Sequence, residues 1–512
     1  MLIGRMFFRF LTPLVFAACT AVSVLPVVSC GPVSVDLFPR TPAAGIDIQA
    51  LAENLSENAQ VYVPGDEPFA ALTVRWSNLE PPTPNVVVVA AIEGDVAQTV
   101  AFAYNNSSSI LAYNGHHGTL ISLGKMDYGI QIYLGQLNSL EIAEDGKTVT
   151  VGGGINSHNL TEALWAAGKQ TVTGTCECVS YLGPALGGGH GWLQGHHGLI
   201  SDQFKSLNVV LANGDLKTID SESDLWWGML GAGQNFGIVT SATYDIVSPN
   251  WAIETIVFSG DKVEAVYEAA SKALLKNGTQ TDDVQNYSYW QNDATLDPNN
   301  PVIIMYIMQE GVDAVDPAYT KPFHDLEPLK ITPQSGDYRD LAAWTGIALA
   351  SPPCQDFGFN NPRFPIYLPS YNVTAMRRAY DVYAAAISGA GNPWGNSIFM
   401  LEDYATAGVR ERDRDSTAFA FREDLLLAAP LIIYNSTGAA EDEEVKDLGN
   451  RLREIIREGT GREELHAYVN YAYGDEGVPA WFGAEEWRND RLRSLKKKYD
   501  PKGVFSFYAP IV

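Results

Sequence analysis

The chain has 512 residues, 46% of them hydrophobic and 18% charged, enough apolar mass for a large core and too little charge for a disordered chain. Lys and Arg number 34 against 60 Asp and Glu, a net charge of −26, which repels phosphate backbones and anionic lipid surfaces alike. With 46 Gly and 28 Pro, the composition fits a loop-rich α+β enzyme rather than a helical bundle, and excludes a peptide or a disulfide miniprotein.

At the N-terminus, Arg5 and Arg9 precede an apolar run from Phe10 to Ala18 that ends in small residues. This is the order of a secretory signal peptide, expected over residues 1–25, so the protein is expected in the secretory pathway. Pro13 and Pro26 interrupt the stretch, and no later segment approaches the ~20 apolar residues of a bilayer-spanning helix. Sequons at Asn54, Asn105, Asn106, Asn159, Asn277, Asn286, Asn372 and Asn435 predict N-glycans at some of these sites. The cysteines, Cys19, Cys30, Cys176, Cys178 and Cys354, are too few to form a disulfide framework. Cys176 and Cys178 lie too close in sequence to bond comfortably to each other.

Pro81-Pro82-Thr83-Pro84 reads as an extended link into a sheet-rich region. There Val86 to Ala91 and Ser109 to Ala112 are strand candidates on either side of a helix over Asp95 to Tyr104. Asp145-Gly146 and Asn213-Gly214 predict hairpins, the first joining Ser139 to Ile142 and Thr148 to Val151, the second joining Val209 to Leu211 and Leu216 to Ile219. A helix capped near Ser157 carries Leu160, Leu164 and Ala167 on one face. A last strand runs from Phe236 to Val247. After Ser248-Pro249, long strands (Ile253 to Ser259, Val302 to Gln309, Leu426 to Tyr434) alternate with amphipathic helices (Val263 to Lys276, Thr374 to Ser388, Glu441 to Glu458). That pattern predicts an antiparallel sheet with helices on one side. Glu485 to Tyr499 is a basic amphipathic helix. The expected division is 26–248 with its core at 81–248, 249–464, and a C-terminal segment 465–512 that packs back on the first part.

Two glycine-rich loops carry the chemistry. One is Asn114-Gly115-His116-His117-Gly118. The other begins at Gly174-Thr175-Cys176-Glu177-Cys178-Val179 and continues through Gly183 and Gly187-Gly188-Gly189-His190-Gly191 to Gly195-His196-His197-Gly198. So many glycines are ruinous inside a helix or strand, but they suit backbone that passes close to a flat or anionic group. His116, His117, His190, His196 and His197 are also a possible metal cluster, since imidazole is a common ligand. No ligand spacing accompanies them, so no metal is expected.

These loops resemble the flavin oxidoreductases related to p-cresol methylhydroxylase and vanillyl-alcohol oxidase, in the berberine-bridge-enzyme-like branch. Asp202, Leu225-Trp226-Trp227, the stretch from Gly231 through Gln234-Asn235-Phe236-Gly237-Ile238-Val239 to Thr240, Tyr468-Val469-Asn470-Tyr471 and Tyr499-Asp500-Pro501 match in the family's order. The resemblance implies a two-domain α+β flavoprotein, with a p-cresol-methylhydroxylase-type FAD-binding domain and a substrate domain. It implies FAD held by two covalent bonds, from His116 and Cys176, with His117 and Cys178 as the alternative candidates. Asn114, Gly115, Gly118, Gly183, Gly187, Gly188, Gly237, Ile238, Val239 and Asn470 are then expected around the cofactor. Ala112 and Tyr113 stand where an Arg is common in the family.

The implied activity is transfer of a hydride from a small organic substrate to FAD, with molecular oxygen as acceptor. His190, which stands where the family has Tyr, is a candidate base, as are Tyr471 and Tyr468, and Glu402 or Asp403 is expected to polarise one of the tyrosines. His190 together with Asp475-Glu476 looks more like fungal secondary-metabolite members than the sugar oxidases. A carbohydrate or alcohol oxidase, and a secreted glycoprotein that keeps the flavin fold without turnover, are the other readings.

Overall fold

The computed structural model describes residues 46–245, 250–278, 280–355 and 357–512. The expected signal peptide, Cys19, Cys30 and the expected boundary at 248–249 lie outside these residues. Among the described residues, sixteen strands form three sheets. In the first, β1 (Gln60–Tyr62), β2 (Val86–Val89), β3 (Ser109–Tyr113) and β4 (Gly129–Tyr133) are ordered β1-β2-β4-β3. β4 pairs in parallel with both β2 and β3. The crossover helix Glu93–Asn105 lays Val96, Val100 and Ala103 against Ile110, Ile130 and Ile132. Asp95 anchors the start of this helix, its carboxylate accepting from the N–H groups of Ala91 and Ile92 and from Ser56.

The second sheet is antiparallel, ordered β5 (Leu140–Ile142), β6 (Thr148–Gly152), β9 (Ile238–Asp245), β7 (Phe204–Val210) and β8 (Leu216–Ile219). Both expected hairpins form. The helix read near Ser157 spans Ser157–Ala166 and is capped one residue earlier, by Asn156 accepting from the N–H of Asn159. Ala167 does not join its buried face: the helix has already ended there, and the residue is exposed.

The third sheet has seven antiparallel strands, in the order β13 (Lys330–Gly336), β10 (Trp251–Phe258), β12 (Asp297–Glu310), β11 (Val284–Asp293), β15 (Ile398–Asp403), β16 (Leu426–Leu431) and β14 (Ile366–Leu368). Strand alternation splits it into two faces. Ile256, Phe258, Ile303, Met305, Phe399 and Leu401 face the helices Val263–Ala273, Val373–Ile387 and Ala439–Thr460, which gives the expected antiparallel sheet with helices on one side. Tyr289, Tyr306, Met400 and Glu402 face the other way, into a large cavity. Asn286, inside β11, is 1% exposed, and its amide donates to the Tyr371 hydroxyl, which closes that sequon to a glycan. Asn54, Asn105, Asn106, Asn159, Asn372 and Asn435 are exposed.

The helix Glu486–Tyr499 packs Leu492 and Leu495 into the cluster that holds Trp227 and Phe236. Lys496 Nζ donates to Asn235 O, Phe505 O and Asp500 Oδ2. This fixes the last segment so that Phe505, Phe507 and Tyr508 line the same cavity. Among the described residues, no helix is long and apolar enough to cross a membrane.

Candidate functional site

A cavity of about 770 Å³, in the range of small-molecule and cofactor sites, lies between the two glycine-rich loops and the open face of the seven-stranded sheet. β3 delivers the first loop. A Cβ on Gly115 would lie 2.5 Å from Ser180 N, so only glycine lets this loop close on the second one. His116 follows at φ 48°, a left-handed conformation that costs a non-glycine residue on the order of 1 kcal/mol or more and turns its ring toward the cavity. Burial, and then Arg75, push the His116 pKa down to about 4, so the imidazole is neutral with a free lone pair at neutral pH. Its Nδ1 is buried without a hydrogen-bond partner, as are Asn114 Nδ2 and both amide atoms of Gln234, and all three residues line the cavity.

His117 lines the same cavity, with its ring held by neighbours. It stacks on Trp76 with ring centroids 5.2 Å apart, and its Nε2 lies 3.3 Å from Cys178 Sγ. Cys178 is bonded to Cys354, which leaves Cys176 as the free thiol on the cavity wall. Burial pushes this thiol up to about 11, against the pull of Arg363. Gly118, Gly183, Gly237, Ile238, Val239 and Asn470 line the cavity. Gly187 and Gly188 do not. They stand one layer behind, where a side chain would strike Asn470 or Phe419.

Sequence reasoning missed Arg75. It comes from the segment before β2, is 7% exposed, donates to Gly118 O at 3.0 Å, and brings to this loop a cation that Ala112 and Tyr113 do not supply.

At the sheet end of the cavity, the Tyr471 hydroxyl lies 3.2 Å from Glu402 Oε1, and the Tyr404 hydroxyl donates to Glu402 Oε2 at 3.3 Å. Burial raises the Glu402 pKa to about 7, while the Tyr471 contact, Arg363 and Tyr404 oppose the rise. Burial and then Glu402 hold the Tyr471 phenol well above its usual value. Asp403 points to the opposite face of β15 and takes a hydrogen bond from Gln280, so of the two adjacent carboxyls only Glu402 reaches a cavity tyrosine.

His190 lines the cavity, but both of its ring nitrogens are engaged. Gln194 Nε2 donates to Ala405 O, so Gln194 Oε1 must accept from His190 Nδ1–H at 2.8 Å. Nε2 then accepts from the Tyr367 hydroxyl at 2.7 Å. Burial lowers the His190 pKa to about 4, so the ring is a neutral, fixed wall. The Tyr468 hydroxyl accepts from the His190 N–H and from Asn470 Nδ2, which makes it a brace between loops. Asp475 and Glu476 bind Arg453 and stand outside the cavity lining. Among the described residues the histidines do not converge, and the one cluster of metal-ligating groups is Cys176, Cys178 and Cys354, two of which are bonded to each other.

Residues 84–220 match the FAD binding domain family, and residues 467–512 match the berberine and berberine-like family. The FAD-linked oxidoreductase chyH of Penicillium rubens is 57% identical over 91% of this chain and 93% of its own length. The chain belongs to the berberine-bridge-enzyme-like FAD-linked oxidoreductases. The FAD-linked oxidoreductase chry5 of Gibberella zeae is 51% identical over 91% of the enzyme and 95% of itself. Among solved structures, Physcomitrella patens BBE-like 1 superposes with a TM-score of 0.76 at 22% identity, over 91% of the enzyme and 99% of that chain. Glucooligosaccharide oxidase from Acremonium strictum, described with a 6-S-cysteinyl, 8α-N1-histidyl FAD, superposes with a TM-score of 0.75 at 17% identity, over 91% of the enzyme and 99% of that chain. The unpartnered polar atoms of Asn114, His116 and Gln234 and the glycine-only approach at Gly115 fit an FAD.

Proposed function

We propose that the enzyme oxidises a small organic substrate at a carbon bearing an O–H or N–H, with Tyr471 and Glu402 taking the proton. The observation that carries this reading is the Tyr471–Glu402 contact at the cavity wall. FAD, when bound, accepts the hydride. Tyr471 Oη receives the substrate's O–H or N–H proton as its own passes to Glu402, whose pKa of about 7 suits a base working near neutral pH. His190 and Tyr468, with their polar atoms committed, hold the wall in place.

His116 and Cys176 hold the flavin covalently in this reading. His116 offers a neutral ring with an unpartnered Nδ1, and Cys176 a free thiol, the same pair of residue types as the links in the glucooligosaccharide oxidase. Oxygen is the proposed acceptor, giving hydrogen peroxide. The enzyme is read as secreted, glycosylated at exposed sequons, and active in secondary-metabolite biosynthesis.

Acid precipitation of the purified enzyme tests the attachment. Flavin absorbance is expected to stay with the pellet in the wild type and in His116→Ala or Cys176→Ala alone, and to move to the supernatant in the double variant. Flavin released from the wild type by acid would defeat the covalent reading, and a colourless protein would defeat the flavoenzyme reading itself.

A further inference from the structure

The chain has 60 acidic residues against 34 Lys and Arg, and three of its buried guanidiniums are paired with acids, while a fourth, Arg75, donates to a backbone carbonyl. Arg422 holds Asp202, Arg453 holds Asp475 and Glu476, and Arg488 holds Asp415 and Glu485. Arg363 is different. Among the described residues its side chain makes no ion pair or hydrogen bond, and its Nε is buried without a partner. Its Cζ lies 4.5 Å from the ring centroid of Trp76 and 4.5 Å from that of Tyr471. Its backbone bridges to Leu431 of β16, which ties the residue to the seven-stranded sheet. Glu402 feels its charge without pairing with it.

A guanidinium has five N–H donors in one plane, and rings that cover its faces leave that edge unsatisfied. Keeping a partly buried cation this way is costly unless something arrives to take the donors. Arg75, the other cavity cation, already donates to Gly118 O beside Tyr113 and Tyr508. Arg363 instead sits over Tyr471, the base of the proposed reaction, and Tyr289, Tyr306, Ile398 and Met400 line the same cavity. These four side chains suit a flat, largely apolar body.

We propose that the edge of Arg363 is the receptor for an anionic oxygen group of the substrate, a carboxylate or an acidic hydroxyl carried on a flat, aromatic-like body. The fork geometry suits a two-point, charge-assisted contact, and it would place the substrate against Tyr471. This rests on the reading of the cavity as the site of oxidation.

The test is binding of benzoate to the oxidised, flavin-loaded enzyme, read from the shift of the flavin absorption band without turnover, with benzamide as the neutral isostere. Benzoate is expected to bind more tightly than benzamide to the wild type. Arg363→Gln is expected to weaken benzoate at least about tenfold, the loss of one charge-assisted contact, and to leave benzamide unchanged. Arg363→Lys, which keeps the charge but not the fork, should fall between, and it stands in if the Gln variant does not fold. Equal binding of benzoate and benzamide by the wild type, or benzoate affinity unchanged by both substitutions in flavin-loaded protein, would overturn the assignment while leaving the oxidoreductase reading intact. Absence of flavin from the wild type would remove that reading itself.

Discussion

Tyr471→Phe is expected to lower kcat by about 10²- to 10⁴-fold, the usual contribution of a positioned acid or base, while FAD stays bound. The phenol lies 3.2 Å from Glu402 Oε1, and it is the one cavity tyrosine that also has Arg363 over its ring. Glu402→Gln should cost a similar factor, and it carries a further signature. With a pKa of about 7, Glu402 is protonated below neutrality and cannot accept the proton from Tyr471. In the wild type kcat/KM should therefore rise as pH increases through about 7, and in Glu402→Gln that limb should vanish. The other cavity histidines do not mimic it: burial holds His190 down to about 4 and His117 well below its usual value. A flat wild-type profile across neutrality, or a Tyr471→Phe enzyme within tenfold of wild type, would remove the pair from the chemistry.

The same carboxyl has a stability cost with a definite sign. Its folded pKa is raised from 4.5 to about 7, so the fold binds this proton more tightly than the unfolded chain does. The stability gained from the bound proton is fully present below about 4.5 and is lost as pH rises through 7. Above that the penalty is on the order of 3 kcal/mol. Glu402→Gln should therefore raise the melting temperature at pH 8 and have little effect near pH 4. A group that destabilises the fold at working pH while facing a cavity is what a functional site is expected to contain.

Local features of the sequence carried much of the fold. Asp145-Gly146 and Asn213-Gly214 mark hairpins because each connecting loop needs one residue at positive φ, which Gly146 (φ 67°) and Gly214 (φ 89°) supply, and the helices at Val373–Ile387 and Ala439–Thr460 follow from a 3.6-residue apolar period. The two glycine loops were legible for the same reason. What sequence could not supply was the far side of the cavity. Arg75, Arg363, Tyr289 and Tyr306 come from segments with no motif, and they meet only because the third sheet turns one face toward the loops. Alternation shows that Glu402 and Asp403 point opposite ways, but not which way the cavity lies. That Cys176 and not Cys178 is the free thiol depends on Cys354, a partner 176 residues from Cys178 that no spacing argument reaches. His190 looked like a base because its ordinary pKa is suitable. Only Gln194 and Tyr367, seated on its two nitrogens, show that it has no free lone pair to offer.

Arg422→Met is expected to destabilise the folded enzyme by about 3–5 kcal/mol, the cost of leaving one member of a buried ion pair alone. The Arg422 side chain is 0% exposed and Asp202 3%. The two form a bidentate pair, Nη1 to Oδ2 at 2.8 Å and Nη2 to Oδ1 at 2.8 Å, and Arg422 also donates to Val409 O and Thr417 Oγ1. Asp202 in turn accepts from the Leu199 N–H just past the glycine run, and Phe419 packs behind Gly188 and edge-on to His190. The pair thus ties the loop around 417–422 to the wall of the cavity. Half-buried Arg412, 3.1 Å from Asp202 Oδ1, shields the carboxylate only in part. Arg422→Lys, which keeps the charge but not the fork, should lose less. Asp202→Asn combined with Arg422→Met should be less destabilised than the sum of the single changes, because it strands neither charge. Denaturant midpoints for the four variants, read together with flavin retention, decide it. A stability loss below about 1 kcal/mol in Arg422→Met would mean that the pair is worth no more than a surface contact, and that the cavity wall is held by apolar packing around Phe419 instead.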